Sequence, residues 1–174
     1  MNGAIRGFNW GTTESAMQST NVTMRKYGEG TILVKGAQNQ SGVTRIYKGE
    51  YRFGVSGIGN GSGYVLQGGR IGAADGTSNE LGVLRVEDGA GSIVLGENAS
   101  LSFADTSSVV WGGKDRVLID YDGELKPGML RFGVSKNGLT PAQLVRIRHN
   151  GNRVILNDDG YMLDMPKTFR IIIR

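Results

Sequence analysis

The sequence contains no cysteine and only one histidine, His149. Without cysteine there is no disulfide framework, no thiolate metal site and no cysteine nucleophile. A single histidine also excludes a metal site built from several histidines of one chain. We therefore predict a protein without a metal or another cofactor, and one whose stability comes from packing or assembly.

Long apolar runs are missing as well. The most apolar stretch, 169–174, is far shorter than the roughly 18 residues that cross a bilayer, and the opening residues lack the pattern of a signal peptide. Apart from a capped turn at Thr140–Pro141, no segment keeps the apolar spacing of a helix. We expect no membrane insertion and almost no helix.

Charge is modest and scattered. The formal net charge is +4, and the densest basic group consists of Arg146, Arg148 and Arg153. A nucleic-acid-binding domain has a stronger basic stripe, with aromatic residues interleaved. This distribution indicates a solvated surface, and we predict no nucleic-acid partner.

Glycine is abundant, at 29 of 174 residues, whereas only 39% of the chain is hydrophobic. Short apolar runs alternate with glycine, Asn-Gly and Asp-Gly, which is typical of tight turns between strands. The fold class predicted is all-β, with many short antiparallel strands in sandwich-like or fibrous modules. Because a single chain of this composition buries a thin core, we expect a homotrimer that shares its interior.

Turn signals predict where strands pair. Residues 22–27 and 31–35 form one expected hairpin, and Asn150–Gly151 forms the tip of another between 146–148 and 153–156. The chain is divided into an N-terminal β segment at 1–50, a central β module at 51–128 and a C-terminal hairpin module at 129–174. These three units are also compatible with one continuous domain.

A six-residue phrase occurs twice with one substitution. Residues 51–56 read YRFGVS and residues 130–135 read LRFGVS. Such a repetition suggests related strand-and-turn units. Arrays of this kind present surfaces more often than catalytic pockets.

Motifs that could support catalysis are better explained by turns. The glycine-rich segment 57–63 lacks the helix that a phosphate loop requires, because the residues after it read as a strand. The pair Asp120 and Asp122 adjoins a glycine, where aspartate commonly bonds the turn backbone. The sequence contains no Gly-x-Ser-x-Gly nucleophile elbow whose serine His149 could activate. We therefore predict that the protein is not an enzyme.

A receptor site is predicted among aromatic and polar residues near turns. Sugar rings stack on aromatic side chains, while Asp, Asn and Arg bond their hydroxyl groups; packing in the core is the alternative for each aromatic residue. The predicted receptor-binding residues are Trp111, Tyr121, Asp120, Arg116, Tyr64 and His149.

The segment 130–135, followed by 144–156, resembles segments of bacteriophage tail fibres and related virion adhesins. In that group a leu-arg-phe strand precedes an arg-ile-x-x-asn/asp-gly-x-val-x-ile hairpin, and residues 129–160 match this style. The resemblance implies a trimeric, elongated β protein that binds receptors at exposed loops. The sequence shows no self-cleaving chaperone domain and no His-x-His repeats, so no fibre class, receptor or catalytic residue is carried over.

These observations predict a phage tail fibre or adhesin module that binds a host cell-surface glycan or protein without covalent chemistry. Its expected location is the outer surface of the virion, after synthesis in the host cytoplasm, beside other tail or capsid proteins. One alternative is a structural virion protein, such as a capsid decoration or fibre shaft, without a receptor. A third is a fragment of a polysaccharide-degrading tailspike, which would need a parallel β-helix longer than 174 residues provide, with clefts that hold carboxylates.

Overall fold

The computed structural model describes residues 23–37, 42–59, 61–112 and 114–166. The described chain is almost entirely β structure and winds into a parallel β-solenoid of about four turns. The all-β prediction is therefore confirmed.

The elements, in chain order, are β1 (Met24–Lys26), β2 (Thr31–Val34), β3 (Thr44–Ile46), β4 (Glu50–Phe53), β5 (Tyr64–Leu66), β6 (Arg70–Ala73), β7 (Ser78–Leu81), β8 (Leu84–Val86), β9 (Ala90–Leu95), β10 (Ser100–Phe103), β11 (Arg116–Asp120), β12 (Leu130–Phe132), α1 (Pro141–Leu144), β13 (Ile147–His149), β14 (Val154–Leu156) and β15 (Met162–Asp164).

Three parallel sheets form the sides of the solenoid. Sheet A has the order β1-β3-β5-β8, sheet B the order β2-β4-β6-β9-β11-β13, and sheet C the order β7-β10-β12. Consecutive strands of one sheet come from successive coils. Each coil therefore stacks on the preceding one through main-chain hydrogen bonds.

The prediction of antiparallel strands was wrong for these three sheets. The expected hairpin of 22–27 with 31–35 does not form, since β1 pairs with β3 and β2 pairs with β4. The turn between β1 and β2 is a corner that directs the chain to the next side. Turn residues such as glycine permit both geometries, so the local signal does not distinguish a corner from a hairpin.

One hairpin does exist near the C-terminus, and it lies one turn later than predicted. β14 and β15 are antiparallel, on either side of Asp158-Asp159-Gly160. At the predicted tip, Asn150 and Gly151 have φ angles of 48° and 76°, as a tight hairpin turn requires. The pairing across that tip is limited to the bridge between His149 and Asn152, because β13 pairs with β11 instead.

The first coils repeat every 20 residues on sheet A. Met24, Thr44, Tyr64 and Leu84 occupy equivalent positions in the ladder. The corner after sheet A has a left-handed backbone, as at Gly49, where φ is 64° and an added Cβ would lie 2.4 Å from the Gly30 carbonyl oxygen. A residue with a side chain would collide with the neighbouring coil there.

Side chains that point inward form apolar columns. The longest column lies on sheet B and runs from Ile32 through Tyr51, Ile71, Ile93 and Ile119 to His149. A second column on sheet C contains Phe103 and Phe132, whose rings stack with centroids 5.0 Å apart. These columns together form the continuous core of the protein.

The coils after β9 are longer because segments are inserted at their corners. On sheet B, Ser92 pairs with Leu118 and Leu118 with Arg148, so these coils take 26 and 30 residues. One insertion contains α1, which Thr140 caps through a capping box with Gln143. The single helical turn predicted at Thr140–Pro141 is thus confirmed.

The repeated phrase does not mark equivalent places in the coil. Residues 51–53 belong to β4 in sheet B, whereas 130–132 form β12 in sheet C. Sheet B spans both predicted module boundaries, at 50/51 and 128/129, and the three-unit division stays a prediction. The predicted final strand at 167–174 lies outside the described residues. No helix among those described could span a membrane.

Candidate functional site

Two of the predicted receptor-binding residues lie inside the solenoid. Tyr64 is fully buried in the core, and its ring contacts those of Tyr51 and Phe53. Trp111 is 5% exposed, and its indole N–H donates to the Leu84 carbonyl oxygen at 3.2 Å. Their packing stabilises the core, and neither side chain is available to a ligand at the surface.

His149 is also buried, at the C-terminal end of the long inward column. Its Nδ1 lies 2.6 Å from Asp164 Oδ1, and its Nε2 lies 2.8 Å from the Tyr121 carbonyl oxygen. Asp164 Oδ2 also accepts a hydrogen bond from the Leu125 backbone N–H at 3.1 Å. The histidine therefore fastens the C-terminal hairpin to the last coil, and neither ring nitrogen faces a nucleophile.

Three predicted residues reach the outside near the end of sheet B. Asp120 and Arg116 are exposed and Tyr121 is partly exposed. Asp120 accepts a hydrogen bond from Arg70 at 2.5 Å. A shallow groove beside this pair is lined by Ser92, Leu118, Asp120, Arg148 and Asn150.

The groove on sheet B offers few open polar groups. Arg148 turns back to donate to the carbonyl oxygens of Val145 and Ile147, at 2.7 and 2.8 Å. The Asp120 carboxylate is paired with Arg70, and half-exposed Leu118 contributes apolar surface to the lining of the groove. None of the described residues that line this groove is aromatic.

The outer side of sheet A carries a stacked aromatic pair instead. Tyr27 and Tyr47 follow β1 and β3 by one residue, and the Tyr47 N–H continues the ladder to the Lys26 carbonyl oxygen at 2.9 Å. Their ring centroids lie 4.5 Å apart with an interplanar angle of 10°. Tyr27 is 61% exposed, so the pair presents aromatic surface to the solvent.

A column of arginines runs beside the tyrosines. Arg25, Arg45 and Arg85 share one register on β1, β3 and β8, and the same register on β5 holds Val65, whose side chain is buried. Arg45 bonds Glu87 at 2.7 Å, and Arg85 approaches the same carboxylate at 3.4 Å. Arg25 forms no ion pair with another residue in the part of the chain described. We call Tyr27, Tyr47, Arg25, Arg45 and Arg85 the tyrosine–arginine face.

The other end of this face is amide and acidic. Gln67 and Glu87 continue the tyrosine register on the next two coils, and Gln67 donates to Asp88 at 2.8 Å. Beyond Asp88, a groove is lined by Gly89, Val110, Lys114 and Asp115 among others. Charged groups of both signs are thus arranged along the solenoid axis.

Lys26 supports the face from within. Its side chain is buried in the same register of sheet A as Ile46, Leu66 and Val86. Its amino group donates to the carbonyl oxygens of Tyr27, Gly28 and Lys48 at 3.2, 2.6 and 3.1 Å. Burial lowers the pKa of this amino group, and the negative charge of Glu29 partly offsets that effect. The three hydrogen bonds hold the corner that positions Tyr27 and Tyr47.

The carboxylates near these surfaces are already bonded. Asp115 is buried and accepts hydrogen bonds from the backbone N–H groups of Gly89 and Gly112. Glu87 is paired with two arginines. Among the residues described there is also no group of three His, Asp or Glu side chains that could hold a metal ion.

Tyr27, Tyr47 and the arginine column were not among the residues predicted from the sequence. The signal was present in the sequence as a 20-residue spacing, which places Arg25 with Arg45, Tyr27 with Tyr47 and Gln67 with Glu87. It was overlooked because the obvious repeat, at 51–56 and 130–135, has a different spacing. Without the coil period, outward residues on different coils do not read as one surface.

Comparison of the chain with protein-family models, with curated proteins and with solved structures gave no match. Any functional conclusion therefore depends on the residues and their arrangement.

Proposed function

We propose that this chain is a phage tail fibre or virion adhesin module, and that it binds a host cell-surface glycan through the tyrosine–arginine face. The observation that carries the proposal is the stacked pair of exposed Tyr27 and partly exposed Tyr47, beside Arg25 and Arg45. Aromatic rings bind the apolar C–H faces of sugars. Arginine supplies planar hydrogen-bond donors for ring substituents.

The solenoid is a suitable scaffold for such a surface. Parallel strands in successive coils hold outward side chains at a spacing of about 4.8 Å. Because the coils stack rigidly, the binding side chains need little ordering when a ligand arrives, which lowers the entropic cost of association. Binding would be non-covalent, since the nearby carboxylates are held by cations and backbone donors.

Assembly into a homotrimer belongs to this proposal. Leu33 and Leu118 are each nearly half exposed on the outer side of sheet B, and a neighbouring copy would remove that apolar area from water. Three copies of one face would also act together, since linked sites can raise avidity about 10²-fold or more. Solution mass measurement tests this part and should give three times the chain mass.

Adsorption to cells and to a glycan array tests the binding role. Wild-type protein should bind a subset of bacterial strains and glycans, and Tyr27→Ala and Tyr47→Ala should reduce that binding at unchanged melting temperature. Tyr161→Ala, which removes a partly exposed tyrosine of the C-terminal hairpin, is the matched control. Wild-type protein that binds no cell and no glycan, and does not block phage attachment, would favour a purely structural virion role.

The parallel coil architecture gives the tailspike alternative a specific observation in its favour, because that class requires such a scaffold. Its active site would need two free carboxyl groups that face each other across a cleft. Incubation of the protein with the polysaccharide it binds, followed by reducing-end detection, separates the two. The binding proposal expects no new reducing ends.

A further inference from the structure

We infer that the tyrosine–arginine face selects a saccharide with a single acidic group, such as a terminal uronic or sialic acid, and binds that group at Arg25. This inference rests on the proposed function, and it names the ligand class of the same surface. It follows from the distribution of charge along the face.

Of the three arginines of the face, Arg25 at the β1 end is the one that has no carboxylate partner among the described residues. Arg45 and Arg85 share the carboxylate of Glu87, and Glu29 and Lys48 pair with each other at 3.3 Å. Arg25 is exposed and has no ionic partner among the described residues. A guanidinium in this state is available for a bidentate bond with a carboxylate.

The exposed ring lies at a useful distance from that guanidinium. Arg25 lies in β1 and Tyr27 follows the strand by one residue, where the ladder still continues through the bond from Tyr47 N–H to the Lys26 carbonyl oxygen. Two positions of extended chain separate their Cα atoms by about 7 Å. A sugar ring that stacks on Tyr27 can therefore bring a carboxylate substituent to Arg25. One ligand residue would use both contacts.

The acidic groups beside the opposite end of the face disfavour a continuous polyanion, because Glu87 and Asp88 offset the charges of Arg45 and Arg85 there. Glu87 and Asp88 lie two coils beyond Tyr47, and Asp88 is exposed. A nucleic acid or a uniformly charged polymer laid along the solenoid axis would place negative groups against these carboxylates. A chain with one acid at the β1 end, and neutral sugars toward Gln67, avoids that repulsion.

The test is an array of matched glycan pairs, in which each uronic- or sialic-terminated saccharide stands beside its carboxyl-reduced form. Wild-type protein should bind acidic members roughly 10- to 100-fold more tightly than their reduced partners, as expected for one charge-assisted bond. The preference should weaken as salt is raised from 50 to 500 mM, because the Debye length falls from about 14 Å to about 4 Å and exposed charges are screened more strongly.

Two arginine variants of equal net charge separate a specific contact from general attraction. Arg25→Gln should abolish the preference for the acid, whereas Arg153→Gln, on the exposed C-terminal hairpin, should retain it. Equal binding to acidic and reduced members, or equal loss in both variants, would overturn the inference while leaving glycan binding intact. Failure to bind any member would overturn both.

Discussion

The first coils and the later coils of the solenoid are held to their neighbouring coils by different sets of hydrogen bonds. In residues 23–95, which we call the regular coils, the ladder continues through the corners by main-chain bonds such as those from Tyr47 to Lys26 and from Gln67 to Ile46, and the side chains of Lys26 and Asn79 add hydrogen bonds to the corner backbone. In residues 96–164, which we call the extended coils, polar side chains bind the inserted segments. Gln143, for example, donates to the carbonyl oxygens of Thr106 and Val109 at 3.0 and 2.8 Å.

This difference explains where a binding surface can form. A constant coil length brings side chains of the same position into one outward column, as it does for Arg25, Arg45 and Arg85. Variable insertions break such columns and instead cover the edge of a sheet. The insertion at 104–112 does this for sheet A, where the Leu84 N–H donates to Thr106 Oγ1 and the Trp111 indole donates to the Leu84 carbonyl oxygen.

The largest effect should come from the core that both regions share. Phe53 of the regular coils and Phe132 of the extended coils are fully buried, so truncation of either to alanine should lower the free energy of unfolding by about 3–5 kcal/mol. Chemical denaturation measures this, with Val134→Ala, at a 79% exposed site, as control. A loss below about 1 kcal/mol at Phe132 alone would indicate that the extended coils are not part of the same core.

A smaller effect should distinguish the hydrogen bonds that hold the inserted segments from those at the corners of the regular coils. Gln143→Ala removes two hydrogen bonds to buried backbone and should lower the free energy of unfolding by roughly 1–3 kcal/mol. Gln67→Ala, which removes an exposed contact with Asp88, should change it by less than about 0.5 kcal/mol. If both variants lost the same free energy of unfolding, the inserted segments and the corners of the regular coils would depend on side-chain hydrogen bonds to the same degree.

The ion pair on sheet B should contribute little. Arg70 and Asp120 are both partly exposed, and the effect of Asp120→Asn on the free energy of unfolding should be at most about 1 kcal/mol. Binding to glycans should be unchanged, because the variant lies outside the tyrosine–arginine face. If Asp120→Asn abolished glycan binding without changing the melting temperature, the binding site would lie on sheet B and not on the tyrosine–arginine face.

The smallest effect concerns acid stability. Hydrogen bonds from the Ser107 hydroxyl, and then from its backbone N–H, lower the pKa of Asp105 in the first insertion. A carboxyl with a lowered pKa in the folded state stabilises the fold above its unfolded pKa, and this contribution disappears as pH falls through the folded value. Because the group is exposed and screened, Asp105→Asn should reduce the acid-induced loss of stability by only a few tenths of a kcal/mol.

Local structure was largely predictable from the sequence, whereas its assembly was not. The capped turn at Thr140 and the tight turn at Asn150–Gly151 depend on neighbouring residues, and both were predicted. The parallel coil depends on which distant strands meet, and Gly28–Gly30 is compatible with either a corner or a hairpin. Trp111 and Tyr64 were assigned to a surface because position near a turn does not reveal which side of a strand faces the interior.

Removal of one regular coil tests the solenoid most directly. Deletion of 44–63 takes out 20 residues and leaves β1 to pair with β5 and β2 with β6, so the protein should still unfold cooperatively on heating. Deletion of only 54–63 removes the segment that returns the chain from sheet B to sheet A, and this shorter deletion should abolish the fold. Cooperative thermal unfolding of the shorter deletion, with loss of structure in the longer one, would contradict the stacked parallel coils.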